Sequence, residues 1–287
     1  MLLTFDHVPT VRTSGLHTHM PEAAPARARS RPSLFGIAID PISLADLLDT
    51  FDRGLVVTPN VDHFMILREN AAFRDVFRDA DFVVVDSRIV QASMQFLGRP
   101  VPEKISGSDL LPAYYRYHAK RGGKSLFILG GRPGVPEAAM ARINAKTNTN
   151  IVVGAHAPSM NFVNDEPECR AVIQTIIASG ANTLVACLGS PKQEIWIQRH
   201  RSSMPSITSF LAVGAAVDFE AGTQPRAPVW VSRAGLERAF RLVREPRRLW
   251  RRYLVRDPKF LLLVLRERFR SRVAHARPTT SRAAQAA

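Results

Sequence analysis

The carboxylate of Asp86 is the first candidate for chemistry in this sequence, because it directly follows the apolar run Phe82–Val85. A carboxylate at the mouth of a buried strand is partly removed from water, so it takes up a proton more readily and could act as a general base. The alternative is that Asp86 caps the helix that follows, although Ser87 could fill that role. Thr58 and Asn60 end a neighbouring apolar run and could hold such a carboxylate or a substrate hydroxyl.

Two glycine-containing loops could bind the phosphates or the sugar of a nucleotide. Gly130–Gly134 lies between an apolar run and a helical pattern, so its backbone N–H groups could cradle a diphosphate; a sharp turn there also needs glycine for steric reasons alone. In Gly189–Glu194, Lys192 can pair with a phosphate and Gln193 can bond a sugar hydroxyl or a base edge. These side chains could instead form the solvated first turn of a helix. The clustering of polar groups favours the functional interpretation.

The other acidic residues and the histidines do not indicate a metal site. Asp79 and Asp81 form the D-x-D pair with which many sugar-nucleotide transferases hold a divalent cation, but they precede a strand and are expected far from the loops above. None of the eight histidines has a metal-binding spacing, and His63 is interpreted as a core or surface residue. Asp218 fits a turn as well as a ligand contact. We therefore expect no bound metal and no cofactor.

From Leu34 to about Gly222, short β-branched runs alternate with helical patterns, which is typical of a parallel sheet with helices on its faces. The sequence predicts an α/β fold, with a Rossmann-like, mostly parallel sheet flanked by helices. Five polar loops follow strand ends, where ligands of open α/β sheets bind, so we expect these loops to converge on one site. The predicted strands are Leu34–Ile39, Gly54–Thr58, Phe82–Val85, Ser125–Leu129, Ile151–Ala155, Thr183–Cys187 and Phe210–Val213. The predicted helices are Val61–Arg78, Ile89–Leu97, Leu110–Lys120, Pro136–Lys146, Glu166–Ser179 and Lys192–His200.

Length and composition allow one substantial core with an appended lobe. The chain has 287 residues, 46% of them hydrophobic, and its start lacks the basic and apolar pattern of a signal peptide. Cys169 and Cys187 are too few for a disulfide framework, which suits a reduced cytoplasmic compartment. We expect a disordered leader over 1–33, a Rossmann-like core over 34–225, a basic helical appendage over 226–274 and a disordered tail over 275–287.

The appendage carries most of the charge of the chain. Arg226–Arg277 contains sixteen basic and four acidic side chains, which accounts for +12 of the formal net charge of +14. Its longest apolar run, Phe260–Leu265, is far shorter than the ~20 residues of a spanning helix. The pattern fits a peripheral domain that docks on an anionic membrane, with Phe260, Leu262 and Leu263 entering the lipid. Non-specific binding of nucleic acid fits the charge equally well.

The polar loops also carry a resemblance that covers about Leu34 to Tyr253. The matching segments, in order, are Thr58–Asp62, Val85–Ser87, Glu103–Leu110, Leu188–Glu194, Val213–Phe219, Arg226–Trp230, Gly235–Glu237 and Arg241–Arg248. With them the chain resembles the WecB/TagA/CpsF family, glycosyltransferase family 26, whose members make teichoic acid, enterobacterial common antigen and other exopolysaccharides. The resemblance implies an inverting transfer from a UDP-linked sugar to a polyprenyl-diphosphate-linked sugar, without a D-x-D metal, on the inner face of the cytoplasmic membrane.

The resemblance also implies roles for individual residues in the core. Asp86 corresponds to the base that deprotonates the acceptor hydroxyl, and Thr58 and Asn60 would line the pocket beside it. Gln193 and Asp218 match positions that contact the donor or the acceptor. Further substrate contacts are expected from Lys104, Ser108, Asp109, Gly130 and Lys192.

Arginines of the appendage are expected to complete the site. Arg241, Arg248 and Arg251 match tail arginines that close over the donor diphosphate, where arginine can neutralise the leaving group in place of a metal. Two residues depart from the family pattern. Ser87 stands where glycine is usual, and Lys104 stands where arginine is common; lysine lacks the bidentate fork, so the donor preference could differ from that of the N-acetylmannosamine enzymes.

Two other functions stay open at this point. A nucleic-acid-binding module with a basic tail fits the charge, although the body is nearly neutral and its polar groups lie in strand-end loops. A sugar-nucleotide-binding protein without catalysis fits the departure at Ser87. An exposed apolar face on the appendage would favour self-association away from the membrane. Deletion of the chain from about Ala227 is expected to leave a folded body that has lost membrane association and activity.

Overall fold

The chain forms a parallel sheet between two layers of helices. The computed structural model describes residues 31–224, 250 and 257–276, with side chains up to residue 270. The strands in these ranges are β1 (Ser33–Leu34), β2 (Ile37–Ala38), β3 (Gly54–Val57), β4 (Phe82–Val83), β5 (Leu126–Gly130), β6 (Val152–His156), β7 (Thr183–Cys187) and β8 (Ser209–Ala212). The helices are α1 (Leu44–Thr50), α2 (Val61–Glu69), α3 (Ala71–Asp79), α4 (Arg88–Phe96), α5 (Gly107–Arg121), α6 (Val135–Thr147), α7 (Glu166–Ala178), α8 (Lys192–His200), α9 (Ala216–Ala221) and α10 (Asp257–Ala276), with 3₁₀ turns at Phe162–Asn164 and Arg201–Ser203.

Six parallel strands make the central sheet, in the order β4-β3-β8-β7-β5-β6. Strand β3, next to the edge strand β4, pairs with both neighbours in register, since Val57 lies opposite Val83 on one side and opposite Ala212 on the other. The connections run through helices, as parallel pairing requires. This arrangement confirms the predicted α/β, Rossmann-like fold.

Alternate residues of the strands face two separate cores. In β3, Leu55 and Val57 pack in one core and Val56 packs in the other, which is the two-residue period of a sheet covered on both faces. Buried side chains of α2, α3, α4, α7, α8 and α10 belong to the first core. Those of α1, α5, α6 and α9 belong to the second. The face that each helix covers decides where the crevices of the sheet open.

Asparagine and serine caps divide the helices more finely than apolar spacing alone predicts. The single predicted helix Val61–Arg78 is wrong: Asn70 ends α2 and caps α3, where its side-chain oxygen accepts a hydrogen bond from Phe73 N–H at 2.9 Å. Ser43 caps α1 in the same way, accepting from Asp46 N–H at 3.1 Å. Both caps satisfy N–H groups that have no partner within the helix. The short helices α1 and α9 were not predicted.

The predicted strand Leu34–Ile39 is instead a β-hairpin whose two strands have two residues each. Phe35 and Gly36 have φ values of 51° and 81°, as a type I′ turn requires, and they join β1 to the antiparallel β2. The turn directs the ring of Phe35 against Phe64 and Phe260, with centroid distances of 6.0 and 5.6 Å. The energetic cost of a positive φ at phenylalanine is thus offset by aromatic packing.

Helix α10 packs on this hairpin and on α2. Phe260 is 0% exposed and Val264 is 3% exposed, and both lie in the first core. Glu267 accepts hydrogen bonds from Phe35 N–H at 3.2 Å and from Arg99 Nη1 at 2.6 Å. The prediction that Phe260 enters lipid is therefore wrong, because its ring is already buried in the protein. Within the described ranges, no helix has the length and apolarity needed to cross a membrane.

Candidate active site

Two crevices open at the carboxyl edge of the sheet. From β3 the chain enters α2 on one face, whereas from the adjacent β8 it enters α9 on the other face. Strands β7 and β5 diverge likewise, into α8 and α6. Such topological switch points are where open α/β sheets bind ligands. The five predicted polar loops follow β4, β3, β8, β7 and β5, which are consecutive in the sheet, so they line one continuous edge.

Asp86 lies beside the loop that contains Thr58 and Asn60. Its backbone N–H donates to the carbonyl of Pro59 at 3.0 Å, and its side chain is half-buried. Helix α4 begins at Arg88 with Ser87 at the N-cap position, so the alternative role of Asp86 as the helix cap is wrong. Thr58 is 8% exposed. A threonine hydroxyl and a carboxylate thus come from adjacent strands to the same part of the edge, where a base could meet a bound hydroxyl.

Asn60 is the N-cap residue of α2, a role that was not predicted from the sequence. Its side-chain oxygen accepts from the N–H groups of Asp62 at 3.0 Å and His63 at 3.4 Å. In return Asn60 N–H donates to His63 Nδ1 at 3.2 Å, which closes a capping box. The cap fixes the direction in which the chain leaves β3, and with it the wall of the crevice.

Lys104, Ser108 and Asp109 form a hydrogen-bonded group at the start of α5. Lys104 Nζ lies 2.7 Å from Asp109 Oδ2, and Ser106 Oγ bonds both Asp109 Oδ2 at 2.5 Å and Ser108 Oγ at 3.0 Å. Three of the predicted substrate contacts therefore lie together. The charge of Lys104 is partly neutralised by the pair with Asp109, whose side chain is 43% exposed.

Glycine at position 107 brings this group to the crevice beside β8. A Cβ on Gly107 would lie 2.5 Å from the carbonyl oxygen of Val213, closer than any side chain tolerates. Val213 follows β8 directly and donates its N–H to Ala186 of β7 at 3.2 Å. The first turn of α5 therefore abuts the carboxyl end of the two central strands. Position 130 requires glycine for a comparable steric reason, because a Cβ added there would lie 2.8 Å from the carbonyl of Cys187.

Asp218 lies in the first turn of α9 and is half-buried. Its Oδ1 accepts from Thr223 Oγ1 at 3.4 Å, and its carbonyl accepts from the N–H groups of Thr223 and Gln224. Its carboxylate also lies near the end of β7: burial, and secondarily the negative charge of Asp218, raise the pKa of the Cys187 thiol. Asp218 thus takes part in a turn and faces the sheet edge, so both expected roles remain compatible with its position.

Lys192, Gln193 and Glu194 form the first turn of α8, as the sequence predicted for this segment. Lys192 is exposed, and its Nζ lies 3.4 Å from the carbonyl of Met160. Gln193 and Glu194 are buried, with 2% and 1% exposure. Gln193 Nε2 donates to Glu194 Oε1 at 2.8 Å, and the same oxygen lies 3.5 Å from His63 Nε2. His63 and Glu194 were not among the predicted site residues.

Several helices that start at this edge lack side-chain caps. The N-cap residues of α4, α5, α6, α8 and α9 make no side-chain cap hydrogen bond, whereas Asn60 and Asp165 cap α2 and α7. The first N–H groups of an uncapped helix, together with its dipole, attract anions. Five such starts along one edge make this end of the sheet suitable for the negative charge of a diphosphate.

The acidic pair Asp79 and Asp81 lies at the opposite end of the sheet, as predicted. Asp81 Oδ2 accepts from Leu55 N–H at 2.9 Å, and Asp79 Oδ2 accepts from Gln198 Nε2 at 2.6 Å. Among the described residues, no three His, Cys, Asp or Glu side chains are grouped in a way that could hold a metal ion. The predicted contacts Arg241, Arg248 and Arg251 lie outside the described residues.

A comparison with protein families covers the residues at this edge of the sheet. Residues 32–274 match a family model described as "Glycosyl transferase WecG/TagA/CpsF family". The match includes every loop of the candidate site and α10 up to residue 274.

Proposed function

This chain belongs to the WecG/TagA/CpsF family of glycosyltransferases, and we propose that it transfers a hexose or N-acetylhexosamine from a UDP-sugar to a polyprenyl-diphosphate-linked saccharide. The observation that carries the proposal is the family match together with the position of Asp86. Its backbone is bonded to the loop of Thr58 and Asn60, beside the switch point between β3 and β8. A nucleic-acid-binding role gains no support from the family match.

Asp86 would act as the general base of a single displacement. The acceptor hydroxyl gives its proton to the Asp86 carboxylate while its oxygen forms a bond to the anomeric carbon. The bond between that carbon and the diphosphate oxygen breaks on the opposite face, so UDP leaves and the configuration inverts. Thr58, buried beside this point, would orient the acceptor or the carboxylate through its hydroxyl.

Negative charge grows on the diphosphate as the bond breaks, and several groups at the edge could stabilise it. The uncapped starts of α5, α6 and α8 offer backbone N–H donors, and Lys104 and Lys192 offer positive charge at the first and last of these. Such fixed donors act most strongly where water is excluded. Arg241, Arg248 and Arg251, outside the described residues, would add to this charge. In this proposal arginine and lysine supply the charge, and no metal is needed.

The outward face of α10 supports docking on a membrane that carries the lipid-linked acceptor. Leu262 and Phe269 are 57% and 63% exposed, and Leu261 and Leu265 are also exposed. Exposed basic residues, Lys259, Arg266 and Arg270, flank this stripe. Apolar side chains beside positive charge are the two components of binding to anionic lipid surfaces. We place the protein on the inner face of the cytoplasmic membrane, in the synthesis of an exopolysaccharide or another cell-surface glycan.

The test is sugar transfer in a reconstituted system. The full chain is incubated with a panel of UDP-sugars and a polyprenyl-diphosphate-linked sugar in anionic liposomes, and products are detected by mass spectrometry. We expect one donor to give a product extended by one sugar, together with free UDP. The Asp86→Asn variant serves as the matched control, since it keeps the size and polarity of the side chain. Absence of product with every donor would contradict the proposal.

A further inference from the structure

A buried polar group joins the first turns of α2 and α8. We call it the Glu194 cluster, and it consists of His63, Gln193 and Glu194. Glu194 is 1% exposed and Gln193 is 2% exposed, which is rare for such side chains in a protein interior. Among the described residues, Glu194 Oε2 and Gln193 Oε1 have no hydrogen-bond partner. A buried polar atom without a partner lowers stability, so its presence beside a candidate site calls for a functional explanation.

The carboxylate of Glu194 fixes the orientation of the Gln193 amide. A carboxylate has only acceptor oxygens, whereas an amide has a donor end and an acceptor end. The contact of 2.8 Å with Glu194 Oε1 must therefore be made by the NH₂ group of Gln193. Its carbonyl oxygen is consequently turned away from Glu194. Without the carboxylate, the amide could rotate and present either end.

His63 approaches Glu194 from the other helix. Asn60 N–H donates to His63 Nδ1 at 3.2 Å, so the ring proton lies on Nε2, which is 3.5 Å from Glu194 Oε1. The imidazole is packed against Phe73 and Phe77, with centroid distances of 6.0 and 6.5 Å. One carboxylate oxygen thus accepts a hydrogen bond from Gln193 of α8 and lies 3.5 Å from the imidazole nitrogen of α2, and these helices follow β3 and β7 on either side of β8.

We infer that Glu194 is a positioning residue that presents the carbonyl oxygen of Gln193 to the sugar nucleotide, so that the site selects a ligand group that donates a hydrogen bond. A sugar hydroxyl or a base N–H would meet this requirement. The inference rests on the proposed function for the identity of the ligand. The ligand would then supply the partner that Gln193 Oε1 lacks, and the Glu194 carboxylate would be needed to turn that oxygen toward it.

A set of variants at Gln193 and Glu194 tests the inference through donor binding. Affinity for the UDP-sugar used by the enzyme is measured by titration calorimetry for Gln193→Ala, Glu194→Met, Glu194→Gln and the double variant Q193A/E194M. We expect each of the first two to bind roughly 10-fold more weakly, the usual scale for one hydrogen bond to a ligand. Glu194→Gln keeps an acceptor oxygen, so it should bind within about 3-fold of wild type.

The double variant separates positioning from general structural damage. If Glu194 acts through Gln193, Q193A/E194M binds no more weakly than Gln193→Ala, whereas independent effects would multiply. Glu220→Met is the matched control: it also removes a buried carboxylate, 5% exposed, which accepts from Tyr115 and Lys146. Its effect on donor binding should be the same with Gln193 or Ala at position 193. Multiplying effects of Glu194→Met and Gln193→Ala, or equal loss in Glu194→Gln and Glu194→Met, would overturn the inference.

A ligand-free measurement keeps the inference distinct from the proposed function. In ¹⁵N-glutamine-labelled protein, the Gln193 NH₂ protons should exchange slowly with water in the wild type and in Glu194→Gln, but at least 10-fold faster in Glu194→Met. Equal exchange rates in all three would overturn the inference even if UDP-sugars bind. Should Glu194→Met fail to fold, His63→Leu replaces it, because it removes the imidazole that lies beside the carboxylate. Slow exchange without binding of any UDP-sugar would refute the proposed donor alone.

Discussion

Phe260 and Leu262 are two residues apart in one helix, but we expect substitution of Phe260 to lower stability and substitution of Leu262 to weaken membrane binding. Phe260 is fully buried, with its ring 5.6 Å from Phe35 and 6.1 Å from Phe64 between centroids, whereas Leu262 is 57% exposed. Truncation of a buried phenylalanine to alanine costs about 3–5 kcal/mol. For a domain of this size that lowers Tm by roughly 6–20 °C. Leu262→Ser should change the stability by no more than about 0.5 kcal/mol.

Binding to membranes should be affected more by the Leu262 variant than by the Phe260 variant. A leucine that enters lipid contributes about 1.5–3 kcal/mol, so Leu262→Ser should weaken binding to anionic liposomes roughly tenfold or more. Phe260→Ala, measured below its Tm, should bind as the wild type does. Differential scanning fluorimetry gives Tm, and liposome pelleting at 20 °C gives the partition coefficient. A Phe260→Ala variant that keeps its Tm but leaves the liposomes would refute the packing of α10 described above.

Three further perturbations test the site and the body. Asp86→Asn should keep donor binding but lower turnover by ~10²–10⁴-fold; retained turnover would move the base elsewhere, with Asp218 the next candidate. Gly107→Ala places a Cβ 2.5 Å from the carbonyl oxygen of Val213, so it should cost roughly 1–3 kcal/mol in unfolding free energy and reduce turnover; an unchanged Tm would mean that α5 does not approach β8 so closely. Burial, and secondarily the charge of Lys124, lower the pKa of His118 from 6.5 to about 4. The unfolded chain then takes up a proton near pH 6.5 that the folded chain takes up only near pH 4, so stability should fall as the pH drops through this range. His118→Phe should flatten that part of the dependence of Tm on pH, and an unaltered slope would assign it to other groups.

Segments with a clear hydrophobic period, bounded by turn residues, could be predicted from the sequence. Thr183–Cys187 and Lys192–His200 have the predicted bounds, because each is a single apolar or helical pattern between turn residues. The hairpin at Phe35 was missed because its strands have only two residues each, too short for a two-residue period to emerge. Helix α9 has six residues and follows a glycine loop, so its few apolar positions were interpreted as part of that loop. Asn70 was the available sign that α2 and α3 are separate.

The sequence predicted which strand ends carry the site but not which side chains would pair there. The rule for parallel sheets brings the loops of Asp86, Thr58 and Gln193 to one edge without knowledge of the strand order. The pair of His63 with Glu194 depends on that order and on both helices covering the same face, which no local pattern encodes. A partial sign existed: a histidine three residues after Asn60 completes the capping box.

The run Phe260–Leu265 shows why a uniform apolar segment cannot reveal its own orientation. Six successive apolar residues occur on every side of a helix, so the phase must be set by residues outside the run. Glu267 sets it here, because its carboxylate accepts from Phe35 N–H and from Arg99 and so turns Phe260, Val264 and Glu267 toward the body. Leu261, Leu265 and Phe269 are thereby exposed on the other side.

One helix therefore takes part both in the core and in the proposed membrane surface. Deletion of the chain from Ala227 would remove Phe260 and Val264 from the first core, so a loss of activity in that truncation would report on stability as much as on docking. The earlier expectation of an intact body after truncation is revised for this reason. Substitutions at Leu262 and Phe269 leave the buried face of α10 in place. Only such substitutions can separate attachment to the bilayer from the integrity of the fold.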